Sequence, residues 1–205
     1  MANRCFRNSV RSSLLCAAGA LLAWAWLPGS AMAMATCLNN SEPNLVKNGG
    51  FELGSGTNIR DWVVEWGSSV DSYVRIDTSN PHGGSQDLEM GSTKAPDDIA
   101  QTIKGTTTGS VYTICFWLYS SPNPTAGVTT FEILWNNVNM LGLTNSAEFG
   151  YQYLAINVLA QGNDLDVFRI RERNKQGFYY LDDVSIQLCD GCTLAAGENK
   201  RVSFK

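Results

Sequence analysis

The sequence predicts an all-β protein, a two-sheet antiparallel β-sandwich of the jelly-roll kind. Three observations predict it. After residue 33 helical periodicity is hard to find, whereas short runs rich in β-branched and aromatic residues recur between turn signals. Nineteen glycines provide many tight connections. Finally, the segment Asn-Leu-Val-Lys-Asn-Gly-Gly-Phe-Glu over 44–52 is answered far downstream by Tyr-Tyr-Leu-Asp-Asp-Val-Ser-Ile over 179–186, and the two read as opening and closing strands.

Between them the same pattern predicts strands over 72–77, 86–90, 99–103, 111–119, 129–135, 153–159 and 166–171, with the closing strand spanning 178–188. The clearest is 111–119. Tyr112, Ile114, Phe116 and Leu118 fall on one of its faces and Thr113, Cys115, Trp117 and Tyr119 on the other, because successive side chains alternate. Bulky groups on both faces mark the second as more than plain solvent-facing surface. Asn-Pro-His-Gly-Gly at 80–84, Ser-Pro-Asn-Pro at 121–124 and Gln-Gly-Asn-Asp at 161–164 punctuate the strands as loops. This count and spacing suit a sandwich.

The ends of the chain bear on where it works. Arg4, Arg7 and Arg11 form a positive region, 13–27 is mostly apolar, and Ala31-Met32-Ala33 offers small residues for cleavage, so residues 1–33 read as a signal peptide. The apolar run is shorter than the roughly 20 residues that span a bilayer. Cleavage leaves a sandwich domain over 34–190 and a polar tail over 191–205, secreted to the periplasm or beyond the cell, with no membrane partner. Without the three leader arginines, 12 basic residues face 19 acidic ones, a formal charge of −7. That balance disfavours nucleic acid as a partner. Cys37, Cys115, Cys189 and Cys192 remain, and four cysteines in an exported chain permit three disulfide pairings. A bridge from Cys37 to Cys189 or Cys192 would staple the ends together.

The motif over 44–52, Trp62 soon after it, and Leu-Asp-Asp-Val-Ser over 181–185 resemble the galactose-binding-like jelly rolls that include carbohydrate-binding module families 4 and 9. Gly-Ser-Gln-Asp-Leu-Glu over 84–89, Ile-Ala-Gln-Thr over 99–102 and Val-Tyr-Thr-Ile over 111–114 are similar to the secreted bacterial domains called choice-of-anchor proteins. The resemblance runs through most of 44–188. It implies a non-catalytic domain that binds polysaccharide or a cell-surface glycan. It also implies a structural Ca²⁺ where the first and last strands meet, held by Glu52, the carbonyl of Gly50 and Asp182. Calcium takes six to eight oxygens, so carbonyls can complete such a set. Alternation along the closing strand puts Asp182 on the inward face with Val184 and Ile186, where a carboxylate needs a cation or donors. The alternative is that Glu52 and Asp182 accept hydrogen bonds from backbone amides at the strand seam.

Glycan binding calls for aromatic platforms. Trp117 and Tyr119 are the foremost candidates because they lie opposite the core face of their strand. Trp66, Tyr73, Trp135, Tyr151 and Tyr153 are also available, while Trp62 is assigned to the core. Arg169, Arg171 and Arg173 alternate along one strand, which suits either bidentate recognition of an acidic glycan or pairing with neighbouring acids. Catalysis has little support. His82, the single histidine, lies in an exposed loop, Asp97-Asp98 reads as turn chemistry, and no nucleophile elbow, phosphate loop or metalloprotease motif is present. A second class of function is a matrix or surface protein that uses the same sandwich for protein association.

Overall fold

A computed structural model describes residues 42–65, 72–121, 129–174 and 177–190. Its strands are β1 (Gly54–Ser55), β2 (Asn58–Ile59), β3 (Val63–Glu65), β4 (Val74–Asp77), β5 (Asp87–Met90), β6 (Asp97–Ile103), β7 (Val111–Ser120), β8 (Thr130–Trp135), β9 (Val138–Thr144), β10 (Phe149–Leu159), β11 (Asp166–Arg173) and β12 (Tyr179–Leu188). β1 and β2 form a small ladder, and the others form two five-stranded sheets ordered β10-β7-β12-β5-β4 and β3-β6-β11-β8-β9. Every pairing is antiparallel. The fold is the predicted jelly-roll sandwich. Among the described residues no helix is long and apolar enough to cross a membrane.

Alternation builds the core. β7 sends Tyr112, Ile114, Phe116 and Leu118 inward, β12 sends Tyr179 and Leu181, and β11 sends Phe168 and Ile170 from the opposite sheet. Each fully buried side chain of this kind contributes about 1.5–3 kcal/mol. The pattern also reaches Trp135, which continues the inward row of Phe131 and Ile133 along β8 and is 4% exposed. Its indole donates to the carbonyl of Leu159 at 3.0 Å. Trp135 is therefore a core residue, not a sugar platform, because its strand phase turns it inward. Trp62 is buried as expected, between Phe51 and Phe168.

Besides the two-residue β1 and β2, two strands of the large sheets have no counterpart in the sequence reading. β9 follows β8 through Asn136-Asn137, both at positive φ (52° and 63°), the geometry of a two-residue hairpin turn. β3 has three residues, too few for a period to register.

The opening segment is not a strand. Asn44 replaces ladder bonds with its side chain: Oδ1 accepts from the amides of Val46 and Ile186, both at 3.0 Å, and Nδ2 donates to the carbonyl of Val184 at 3.2 Å. The backbone adds Leu45 N–H to the carbonyl of Ile186 and Val184 N–H to that of Gly49, each at 2.9 Å. The chain then turns through Asn48 and Phe51, at φ 51° and 53°. A Cβ at Gly49 would sit 2.0 Å from the carbonyl oxygen of Val184, so this approach requires glycine. The two ends do meet, as the sequence predicts, through side-chain and loop contacts.

β12 carries a bulge. Its register against β7 shifts between Asp182 and Ser185, and Asp183 adopts φ 52°. The extra residue changes the phase of the strand. Val184 and Ile186 face the core, while Asp182 shares the outward face with Tyr180 and lies opposite Trp117. The simple alternation that placed Asp182 inward fails at this bulge.

The register also bears on the cysteines. Cys115 lies opposite Ala155 and Ser185, whereas the amide of Cys189 bonds the carbonyl of Val111, four residues back along β7. That offset is about 13 Å at 3.3 Å per residue, beyond the reach of a direct bridge. Cys37 and Cys192 lie outside the described residues. Peptide mapping without reductant should recover no peptide joining Cys115 to Cys189; such a peptide would contradict this register. Phe51→Ala, which removes a fully buried ring from the seam, should cost about 3–5 kcal/mol in urea unfolding.

Candidate functional site

The outward face of the β10-β7-β12-β5-β4 sheet gathers most of the predicted site. β7 supplies Trp117 and Tyr119, β10 supplies Tyr151 and Tyr153, and β12 supplies Tyr180 and Asp182. Asp87 and Glu89 come from β5, and Arg75 and Asp77 from β4, with Tyr73 just before it. The rings touch in series: Trp117 lies 5.3 Å from Tyr153, Tyr119 lies 5.7 Å from Tyr151 and 5.3 Å from Tyr180, and Tyr73 lies 5.0 Å from Phe178. Trp117, Tyr119, Tyr151, Tyr153 and Tyr73 are all half-buried. Their edges are held while part of each ring faces solvent.

Beneath the rings are acids. Glu89 accepts from the hydroxyls of Tyr73 and Tyr180, each at 3.0 Å, and from Arg75 Nε at 2.7 Å. Asp87 is fully buried and accepts from Tyr151 Oη at 3.1 Å. Burial pushes Asp87 up to about 7, with the charges of Asp77, Asp182 and Glu89 adding and the Tyr151 hydroxyl opposing. Burial likewise pushes Tyr73 up to about 12, with Glu89 beside it. Tyr151 and Tyr180 are raised by burial and then by the charges of Asp87 and Glu89 respectively.

His82 completes the face. Its ring stacks on Trp117, with centroids 3.9 Å apart and planes 17° from parallel, and meets Tyr151 edge-on at 5.1 Å. Its Nδ1 lies 2.7 Å from Asp183 Oδ2. The loop bearing it is pinned by its backbone. His82 and Gly83 amides both donate to Asp182 Oδ2 at 2.9 Å, Ser85 and Gln86 amides donate to Glu52 Oε1 at 2.7 and 3.0 Å, and Tyr151 Oη donates to the carbonyl of Asn80 at 2.6 Å. A Cβ at Gly84, which has φ +62°, would lie 2.0 Å from Glu52 Oε1. Sequence reasoning treated His82 as a plain exposed loop residue. The signal for its role was the Gly-Gly after it, which lets the backbone close onto the two carboxylates.

Gly50, Glu52 and Asp182 do come together: the Cβ direction of Gly50 ends 3.9 Å from both Asp182 Oδ1 and the Glu52 Cγ. Whether the set fits calcium depends on its lone pairs. Asp182 Oδ2 receives two amide donors, Asp182 Oδ1 receives the Asp183 amide at 2.7 Å, and Glu52 Oε1 receives two amides. Among the described residues no group of three or more His, Cys, Asp or Glu side chains is arranged to hold a metal ion. As placed, these carboxylates fit amide donors, which perform the loop capture an ion would. Burial raises Asp182 to about 6, with the neighbouring charge of Asp183 adding and the amides opposing.

The remaining predicted residues lie elsewhere. Arg169 and Arg171 project from β11 in the other sheet. Arg169 pairs with Glu65 at 2.6 Å and Asp98 at 2.8 Å, and Arg171 grips both oxygens of Asp98. Their guanidiniums pair with these acids, although Arg169 Nε has no partner among the described residues, and their strand lies in the other sheet, so they do not join the aromatic face. Asp98 serves that network, and Asp97 accepts from the Ser72 hydroxyl and the Tyr73 amide; both start β6 and are not turn residues. Trp66 lies outside the described residues.

No protein-family model matches the chain, and no curated protein matches it as a relative. Solved structures do match. The enzymatically active domain of bacteriophage CBA120 tailspike protein 4 matches at 15% identity and TM-score 0.53, over 71% of this chain and 21% of that one. A family 61 carbohydrate-binding module in complex with β-1,4-galactotriose matches at 15% identity and TM-score 0.53, over 72% of this chain and 99% of that one. A tandem pair of family 22 modules from Paenibacillus barcinonensis Xyn10C matches at 13% identity and TM-score 0.51, over 77% of this chain and 49% of that one. The chain thus spans about a fifth of the tailspike domain and half of the tandem pair. These are likenesses of fold, and the fold is the jelly-roll sandwich of carbohydrate-binding modules.

The buried acids give stability a pH dependence. Asp87 and Asp182 have folded pKa values above the ordinary 3.8. The folded state therefore holds more protons than the unfolded one between about pH 4 and 7, and stability falls as pH rises through that window. Asp87→Asn should flatten the fall and gain on the order of 1–2 kcal/mol at pH 8, measured by urea titration.

Proposed function

We propose that this is a secreted, non-catalytic protein that binds polysaccharide on the aromatic face of the β10-β7-β12-β5-β4 sheet. One observation carries the reading: half-buried aromatic rings sit side by side on one sheet face, where buried carboxylates fix Tyr73, Tyr151 and Tyr180 through their hydroxyls. Sugar rings present C–H faces to such platforms while their hydroxyls take planar polar partners. Trp117, Tyr119 and Tyr73, with Tyr151 and Tyr153, are the contacts, and His82 braces Trp117. The likeness to carbohydrate-binding modules supports this choice of ligand class. The acids' environment supports a non-catalytic role, because Glu89 is taken up by two tyrosines and Arg75, and Asp87 Oδ2 accepts from Tyr151. The leader over 1–33 supports export, and disulfides from Cys115 and Cys189 to other cysteines suit that compartment.

Trp117→Ala should weaken binding at least tenfold in a pull-down or calorimetric titration against a neutral polysaccharide panel, with its melting transition retained. Arg169→Ala should leave affinity unchanged. Concentration-dependent assembly with no glycan signal would favour the matrix-protein reading, and release of sugar products from the panel would instead show glycoside hydrolysis. Calcium at Gly50, Glu52 and Asp182 is the competing account of the seam. Because amides already occupy both oxygens of Asp182 and Oε1 of Glu52, chelator should move the melting temperature by less than about 1 °C; a clear rise with added Ca²⁺ would show that an ion binds the seam.

A further inference from the structure

The aromatic face carries more negative charge than a neutral sugar requires. Asp77, Asp87, Glu89, Asp182 and Asp183 converge on it from β4, β5 and β12, against the guanidinium of Arg75. They act as one field, since Asp77, Asp182 and Glu89 all bear on Asp87, and Asp87, Asp182 and Asp183 all bear on Tyr151. Asp87 is 0% exposed and its Oδ1 has no hydrogen-bond partner among the described residues, so a buried acceptor beneath the Tyr151 ring stands without a donor. Arg75 shows what this chemistry holds: its guanidinium lies 4.8 Å from the centroid of the Tyr73 ring while Nε bonds Glu89. It is a cation kept between an aromatic face and a carboxylate, an arrangement that strengthens as water is excluded.

We propose that this face selects glycans bearing free amines, of the glucosamine or galactosamine class, whose ammonium groups lie against the Trp117, Tyr119 and Tyr151 rings beside Asp183, with the buried Asp87 acting on them at a distance. The selection rests on the carbohydrate reading above. It has a repulsive side, because uronate or sulfated glycans bring like charge to a surface with no unpaired guanidinium at hand. Arg169 and Arg171, the groups suited to such anions, are on the opposite sheet and committed to Glu65 and Asp98. An N-acetylated sugar keeps the ring and hydroxyls but loses the charge, so it isolates the contribution of the ammonium.

Calorimetric titration at low salt and about pH 7 should compare glucosamine oligomers, their N-acetylated counterparts of equal length, and galacturonan oligomers. The glucosamine oligomers should bind at least tenfold more tightly than the acetylated ones, the advantage should shrink with added salt, and galacturonan should give no signal. Asp183→Asn keeps a residue that tolerates positive φ and lies at a 44% exposed side chain, so folding is preserved. It should reduce the preference several-fold, read as the ratio of the two affinities within the same variant. Equal or tighter binding of the acetylated oligomers, or measurable binding of galacturonan, overturns the amine selection and leaves the carbohydrate reading standing. Absence of binding across all three and across neutral polysaccharides overturns both.

Discussion

The bulge at Asp183 is the constraint on which the site depends. One residue at φ 52° turns Asp182 out of the core phase and onto the aromatic sheet face, while Val184 and Ile186 return to the interior. From that position Asp182 receives the amides of His82 and Gly83. The captured loop then lays the His82 imidazole on Trp117. Without the bulge the alternation set by Tyr179 and Leu181 would put Val184 and Ile186 on the outward face with Asp182, so the core and the anchored loop could not both be satisfied by one strand. Glu52 performs the same service for Ser85 and Gln86 from the other end of the chain. The seam therefore joins three distant stretches of sequence through two carboxylates and four amides.

The two sheet faces resolve buried charge differently. On β11 the guanidiniums of Arg169 and Arg171 meet Asp98, so positive and negative groups satisfy one another. On the aromatic face the acids outnumber their cations, and burial and mutual repulsion raise Asp87 and Asp182. A fold selected for stability alone would gain by replacing such groups with neutral ones. Their retention over a core of ordinary packing is the pattern expected where local strain serves binding.

Much of the fold was legible because it rests on period-two alternation. The strand over 111–119 separates its core row from Trp117 and Tyr119 by parity alone, and the structure keeps that division. Trp135 obeys the same rule, and parity with Phe131 and Ile133 points it inward; its assignment as a platform followed residue type where strand phase should have decided. Asp182 was misplaced for the opposite reason, since a bulge breaks parity and two consecutive aspartates do not announce one. Arg169 and Arg171 form a visible row, but their partners Glu65 and Asp98 lie far away in sequence and become neighbours only through the pairing of β3, β6 and β11. His82 was hidden because loop residues have no period to read, and its position is fixed by carboxylates about 100 residues downstream.

These failures share a cause that also locates function. Each involves a contact between groups remote in sequence, made on the outer faces or in the loops, where local propensity is silent. The core could be read from one strand at a time because hydrophobic burial is non-directional and needs only the right side. The aromatic face needs direction as well: Tyr151 must reach both the Asn80 carbonyl and Asp87, and Tyr73 and Tyr180 must share Glu89. Such directional bonds fix the tilt of each ring, and a fixed ring gives up little rotamer entropy when a ligand settles on it. The opening and closing segments thus acquire a sharper role than stapling a sandwich shut. By catching the His82 loop, they set the orientation of the surface on which recognition occurs.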